Sequence, residues 1–337
     1  MTIKSYILIL MLIFYTITLT SKFQPVVQSQ TSTLELTVVT DKEVYNFGGT
    51  VQISGSLIFD GQPVEDGLVA IQVNDPSGYL LAVRTLDTGT VPSTNWRVEI
   101  LNVASVDEEG NPKETVTIGA TIYIAIVLDN KLQSALDIWI TATVLDAQMV
   151  PIGVPRVEGT LPPGTSTFIF SLPISQGVNL GEATIYANAF TAQPKHGGTP
   201  YCPEKTASFT IVSGGSTFSS QDRKEKQYTS LSTSGTYNFT FTLPNDFIRI
   251  GNYTVNATSQ YEIIYFANAT TIFQVVLKGD INGDKTVDIF DCVMVALAYG
   301  SEPDDPNWNP DADINGDNII DIFDMVIVAL DFGRTAI

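Results

Sequence analysis

Residues 280–300 read DINGDKTVDIFDCVMVALAYG, and residues 313–333 read DINGDNIIDIFDMVIVALDFG. The two stretches agree at 14 of 21 positions across a 33-residue offset. In each copy, oxygen-bearing side chains recur on alternate residues and then skip to the ninth and twelfth. The first set is Asp280, Asn282, Asp284, Asp288 and Asp291; the second is Asp313, Asn315, Asp317, Asp321 and Asp324. Alternate positions on a tightly curled loop converge on one point, which suits a hard cation taking several oxygen ligands. The seventh position supplies a main-chain carbonyl, so Thr286 and Ile319 are free to differ in side chain. An acidic solvated tail would not run into an apolar stripe, yet both loops do. Val293, Val295, Ala296 and Leu297, matched by Val326, Val328, Ala329 and Leu330, predict two helices that pack on each other. The spacing therefore reads as two calcium loops.

This pair resembles a type I dockerin, two calcium loop-helix segments that each lack the entering helix of a full EF-hand. The resemblance covers about 279–333 and implies two bound calcium ions. It also implies an adaptor role, docking an exported protein to a cohesin-like or surface protein. In that family the tenth and eleventh loop positions carry much of the recognition, which points to Ile289 and Phe290 and to Ile322 and Phe323. Exposed Ile-Phe pairs on an acidic module are costly unless covered, either by a partner or by packing within the chain. The basic residues that many cohesin-binding dockerins carry on the following helix are missing here. The sixth position, where an EF-hand favours Gly, holds Lys285 and Asn318. Asn tolerates a left-handed backbone better than Lys, a difference on the order of 1 kcal/mol, so the first loop is expected to be the weaker. The twelfth position is Asp, with a shorter reach than the Glu of an EF-hand. Chelation is expected to unfold this module and to spare everything before it.

At the other end, Lys4 precedes an uncharged run from Tyr6 to Thr20 and a polar stretch to Gln30. That is the pattern of a secretory signal over 1–29, with an uncleaved anchor as the alternative. Four Asn-x-Thr sequons, at Asn238, Asn252, Asn256 and Asn268, fit a glycosylated protein that is secreted or held at the cell surface. Acidic residues outnumber basic ones 36 to 17, and the 13 acids in 279–337 face only Lys285 and Arg334. With no basic patch to meet phosphate, nucleic acid is not expected as a partner. Cys202 and Cys292 could form a disulfide or remain a loop thiol and a buried apolar side chain.

Residues 31–277 alternate Thr, Val and Ile in short runs broken by Gly, Pro, Asn and Asp, a mainly β pattern. TDKEVYNFGGTVQISGSLIFDGQPVEDGLVAIQVNDPSG, with Tyr45, Gly48, Gly55, Pro63, Val64 and Pro76, resembles the opening half of a macroglobulin-like, immunoglobulin-type sandwich. Four strands are too few to close such a fold. The missing half reads instead at Gly235-Thr236-Tyr237, Leu243-Pro244 and Gly251-Asn252-Tyr253-Thr254-Val255. The expectation is one sandwich from 31–90 plus 228–277, interrupted by a second immunoglobulin-like sandwich at 95–215, then a small helical dockerin-like domain at 279–333. Three domains in a row are the alternative. The 95–215 segment weakly resembles adhesion-type immunoglobulin modules. Alternation places Trp139 opposite Ile138 and Ile140, as an interdomain anchor or a stacking platform for sugar rings.

Catalysis has little to stand on. The one histidine, His196, sits in Lys195-His196-Gly197-Gly198, six residues from the only nearby thiol, Cys202. Glu182 and Glu204 could pair as glycosidase carboxylates, but nothing in the pattern predicts a cleft between them. No catalytic residue is assigned. The sequence supports an exported, non-catalytic, modular β protein that binds calcium and attaches to another protein. The second reading is an accessory of extracellular polysaccharide catabolism that binds carbohydrate.

Overall fold

The computed structural model describes residues 32–89, 96–214, 234–245 and 248–337. The 1–29 signal expectation lies outside the described residues. Alternating apolar side chains give the first strands: β1 (Leu34–Leu36), β2 (Val39–Thr40), β3 (Val44–Asn46), β4 (Thr50–Phe59), β5 (Gln62–Pro63), β6 (Leu68–Asn74) and β7 (Leu80–Asp87). The next nine are β8 (Val98–Val106), β9 (Thr115–Thr117), β10 (Thr121–Asn130), β11 (Leu136–Leu145), β12 (Pro151–Gly153), β13 (Arg156–Leu161), β14 (Gly164–Pro173), β15 (Gly181–Phe190) and β16 (Lys205–Val212). The last three are β17 (Thr236–Thr242), β18 (Gly251–Tyr261) and β19 (Tyr265–Val276), followed by helices α1 (Ile289–Ala298) and α2 (Ile322–Asp331). The protein is mainly β, with its two α-helices at the C-terminal end.

Strands far apart in sequence share sheets. β17 pairs antiparallel with β4, from Thr236 opposite Ser56 to Thr242 opposite Thr50. β18 pairs antiparallel with β6, setting Val255 against Val73 and Ala257 against Ile71. The first layer is thus β1-β4-β17 with β2 and β5 on β4, and the second is β3-β19-β18-β6-β7. Val51, Ile53, Leu57, Ile71, Val73, Phe241, Tyr253 and Phe273 fill the space between them. Gly55 is required here: a Cβ would lie 1.9 Å from the Thr37 carbonyl and 2.4 Å from the Tyr237 hydroxyl, which donates to that carbonyl.

Residues 98–212 build two sheets of their own, β14-β10-β8 and β12-β11-β15-β16-β9 with β13 on β11. Ile122, Ile124, Ile126 and Leu128 from β10 meet Ile138, Ile140, Ala142 and Val144 from β11. The opposite face of β11 is also buried, because it packs on β7. Trp139 is 2 % exposed, in a cluster with Ala70, Leu80, Val83, Val154 and Phe190. It anchors the two sandwiches, and no face of its ring is free to stack on sugar. Beside it, the Thr143 hydroxyl accepts from the Val83 N–H at 2.8 Å and donates to the Val83 carbonyl at 2.6 Å. Arg84 reaches across as well, its Nε donating to Glu204 at 2.9 Å and its guanidinium lying 3.5 Å from the Tyr186 ring centre. Burial alone would lower the Arg84 pKa, but the Glu204 carboxylate more than offsets it and raises it above the ordinary value.

Candidate functional site

Each acidic loop is held by its own side chains. In the first, Asp280 accepts from the N–H groups of Asp284 and Lys285, Asn282 from that of Asp284, and Asp284 from that of Thr286. The second repeats this with Asp313, Asn315 and Asp317. The ninth residue caps the helix: Asp288 accepts from Phe290 N–H at 2.8 Å, and Asp321 from Phe323 N–H at 2.7 Å. The twelfth closes the loop on itself. Asp291 is fully buried and accepts from Ile281, Asn282 and Asp288, and Asp324 does the same with Ile314, Asn315 and Asp321. These bonds fix the backbone of each loop, with the side-chain oxygens engaged by main-chain N–H groups.

The sixth residues take the strained conformation that their position demands, with φ +72° at Lys285 and +67° at Asn318. Burial, followed by the negative charges of Asp291 and Asp284, pushes the Asp280 carboxyl above its ordinary pKa despite two main-chain N–H bonds. Among the described residues, neither buried carboxylate, Asp291 or Asp324, has a cationic side chain as partner. Also among the described residues, no three His, Cys, Asp or Glu side chains converge into a group that could hold a metal ion. The donor set is nonetheless chemically right for calcium, being carboxylate, amide and carbonyl oxygen without nitrogen or sulfur. It includes an Asn side chain and a main-chain carbonyl in each loop.

The two units are clamped by reciprocal main-chain bonds. Gly333 N–H donates to Val287 O at 2.8 Å and Val287 N–H to Arg334 O at 3.0 Å. Their repeat equivalents are Gly300 N–H to Ile320 O at 2.7 Å and Ile320 N–H to Ser301 O at 3.1 Å. The eighth residue of each loop thus ties to the end of the other helix. Val295, Ala298 and Val328 are buried where the helices meet, with Cys292, Met294 and Met325 half-buried around them.

This corrects the expected stripe. Val293, Ala296 and Leu297, and likewise Val326, Ala329 and Leu330, face solvent rather than the twin helix. So do Ile289 at 59 %, Phe290 at 65 %, Ile322 at 53 % and Phe323 at 63 % exposure. The Ile-Phe pairs are not covered from within the described chain. A ten-residue helix with a two-residue apolar start has apolar residues enough for two faces, and the smaller face won the intramolecular contact.

The module is also not separate from the sandwich. Ile281, Val287, Val295 and Ala336 belong to the same buried cluster as Tyr45, Phe47, Ile248 and Leu277. The chain end runs between them: Ala336 N–H donates to Lys285 O at 2.9 Å and Ile337 N–H to Ile248 O at 3.1 Å. The expectation that the sandwiches would be indifferent to this module rested on separate cores, and the core is shared. Asp331, at the seam, was missed in the sequence. Its signal was the break in the repeat, since the equivalent residue in the first copy is Ala298.

The remaining candidates are scattered. His196 is exposed in a short 3-10 turn. Cys202 is buried, and burial pushes its thiol up to about 12, which makes it a poor nucleophile. Both cysteines are free thiols, so no disulfide joins them. Glu204 is committed to Arg84, and Glu182 is exposed. Asn238 lies on β17, and Asn252, Asn256 and Asn268 lie on one outer face of the β18–β19 pair, where Asn252 and Asn268 are exposed.

No curated protein matches the chain. Among solved structures, the C-terminal domain of Wzt is 11 % identical, with 38 % of this chain covering 86 % of that one at a TM-score of 0.31. The CARDB domain of a Pyrococcus furiosus protein, solved with di-metal ions, is 10 % identical over 36 % of this chain and 99 % of that one, at 0.25. A β-glucosidase from Listeria innocua is 12 % identical over 36 % of this chain and 17 % of that one, at 0.24. Residues 278–330, the paired loops and helices described above, match the dockerin type I domain, a non-catalytic module of calcium-dependent protein attachment.

Proposed function

We propose that this protein is an exported, non-catalytic attachment protein that docks through the exposed apolar face of its dockerin module. The observation that carries the reading is that Ile289, Phe290, Ile322 and Phe323 stand in solvent in both repeats. Contiguous exposed apolar surface of this kind marks an interaction site. Two calcium ions would be held by Asp280, Asn282, Asp284, the Thr286 carbonyl, Asp288 and Asp291, and by Asp313, Asn315, Asp317, the Ile319 carbonyl, Asp321 and Asp324. Calcium supplies positive charge that lets eight aspartates share two small loops. The chain's own residues do the rest: Asp288 and Asp321 start the helices, and the clamp at Val287 and Ile320 fixes one apolar face relative to the other.

The partner in this reading is a cohesin-like or surface protein. Proteins that carry dockerin domains are typically extracellular or at the cell surface. The four sequons would carry glycans on the outward strand faces. The carbohydrate-binding alternative loses its one pointed residue, because Trp139 is buried between the sandwiches. The test uses the full chain immobilised in calcium and exposed to extracellular extract from its own source. A partner released by chelator, and lost when Phe290 and Phe323 are both changed to Ala, is the expected result. Capture that ignores both chelator and the double change rejects docking through this face.

A further inference from the structure

β14 is an edge strand, paired with β10 on one side only, and its ten residues GTSTFIFSLP carry no charge. Soluble proteins usually guard a long edge with Lys, a bulge, a proline within the strand or a covering loop. Other edges here are guarded or used. β8 carries Glu99, β13 carries Arg156 and Glu158, and β7 is packed under β11. The uncharged β17 and β19 are partly taken up within the chain, by Thr242 N–H donating to Met149 O and by pairing with β3.

The sequence of β14 reads nearly the same in both directions about Ile169, with Phe168 and Phe170 next and Thr167 and Ser171 beyond. Ile174 exchanges main-chain bonds with Gly119 and Ala120, on the β10 side. Its ladder with β10 has no register shift, so alternation turns the N–H and C=O groups of Thr165, Thr167, Ile169 and Ser171 toward the open edge. Ile169 is 54 % exposed on the outer face and lines, with Arg156, Val157, Phe168 and Phe170, a groove of about 430 Å³.

We propose that β14 is a self-association edge, at which a second copy of this chain pairs antiparallel about a two-fold axis through Ile169. Ile169 then exchanges main-chain bonds with its own copy, Thr167 with Ser171, and Phe168 stacks across from Phe170. Such pairing gives about eight main-chain hydrogen bonds and fuses two three-stranded sheets into one. Charge does not oppose pairing at this edge. The chain has a formal net charge of −19, and β14 adds no carboxylate to the repulsion between two copies that meet there. The dimer presents two dockerin faces at once, which raises the avidity of attachment without new contacts.

The test is sedimentation equilibrium of the full chain in calcium, from micromolar to near-millimolar concentration. A reversible dimer is expected. Ile169→Lys and Ile169→Glu should each weaken it by at least ~tenfold through like charge on the axis, and an equimolar mixture should restore it. Restoration on mixing separates a paired edge from a misfolded variant, and thermal unfolding of each variant reports its fold directly. A wild-type chain that stays monomeric throughout overturns the proposal. So does a dimer that persists in Ile169→Lys but dissociates in a Leu297→Glu, Leu330→Glu double variant, because that places the axis on the docking helices.

Discussion

Asp331, at the end of α2, accepts a hydrogen bond at 2.7 Å from the Nδ2 of Asn46, on β3, across 285 residues of sequence. The same carboxylate, 2 % exposed, accepts from Gly279 N–H at 3.3 Å and pairs with Arg334, which in turn donates to the Phe47 carbonyl. One buried side chain thus ties the second helix, the residue before the first loop and the sandwich edge together. Truncating it takes this acceptor from the Asn46 Nδ2 and the Gly279 N–H and removes the carboxylate paired with Arg334. Asp331→Ala is expected to cost about 2–3 kcal/mol of whole-chain stability, read by urea denaturation. An unchanged midpoint would mean that the seam adds nothing.

Calcium removal should reach the sandwich for the same reason. The module shares its core with Tyr45, Phe47 and Ile248, so unfolding it bares those side chains. Excess chelator is expected to lower the β-sheet melting temperature as well as to remove the helical circular dichroism signal. A helical signal lost with the β transition unmoved would show that the seam is open in solution.

Lys285 and Asn318 set the order of the two loops. Both have positive φ, and Lys tolerates it less well. Calorimetry should find two calcium sites, with the second loop tighter. Lys285→Gly should strengthen the first by on the order of 1 kcal/mol and bring the two closer. If Asp313→Ala leaves a stronger remaining site than Asp280→Ala does, the ranking is reversed.

Glu204 answers the buried Arg84 between the sandwiches, their side chains only 15 % and 10 % exposed. Removing it strands a guanidinium between Tyr186 and Phe239. Glu204→Ala should cost about 3–5 kcal/mol, while the double change Arg84→Met, Glu204→Leu should recover most of that loss. A double variant no better than the single would mean that the pair does not act as a unit.

Deleting 95–225 and joining the flanks with a short Gly-Ser linker should leave a folded sandwich, since β1–β7 and β17–β19 supply both of its sheets. It will be less stable than the whole, because Ala70, Leu80 and Val83 lose their cover. In the intact chain, Trp139→Ala should cost about 3–5 kcal/mol at that same contact. A folded 31–104 fragment would refute the division, as it lacks β17 and β18.

The sequence alone determined what spacing and alternation can carry. Ligand-type residues repeat in register because a curled loop aims every second side chain at one point, so the loops were legible without coordinates. The mainly β class followed from alternation, whereas the four strands expected over 31–90 are seven, β1–β7, in the structure. Tertiary structure alone decided which face of each element is spent inside. Trp139 and Ile140 alternate as a half-exposed strand would, yet both faces of β11 are buried, because β7 covers the second. Val293 and Leu297 have the same pattern as Val295, but only Val295 meets the other helix. Periodicity fixes which residues share a face. Only the neighbouring surface, brought by chain 60 residues away where Val83 meets Thr143 and one repeat away at the helices, decides whether that face meets protein or water.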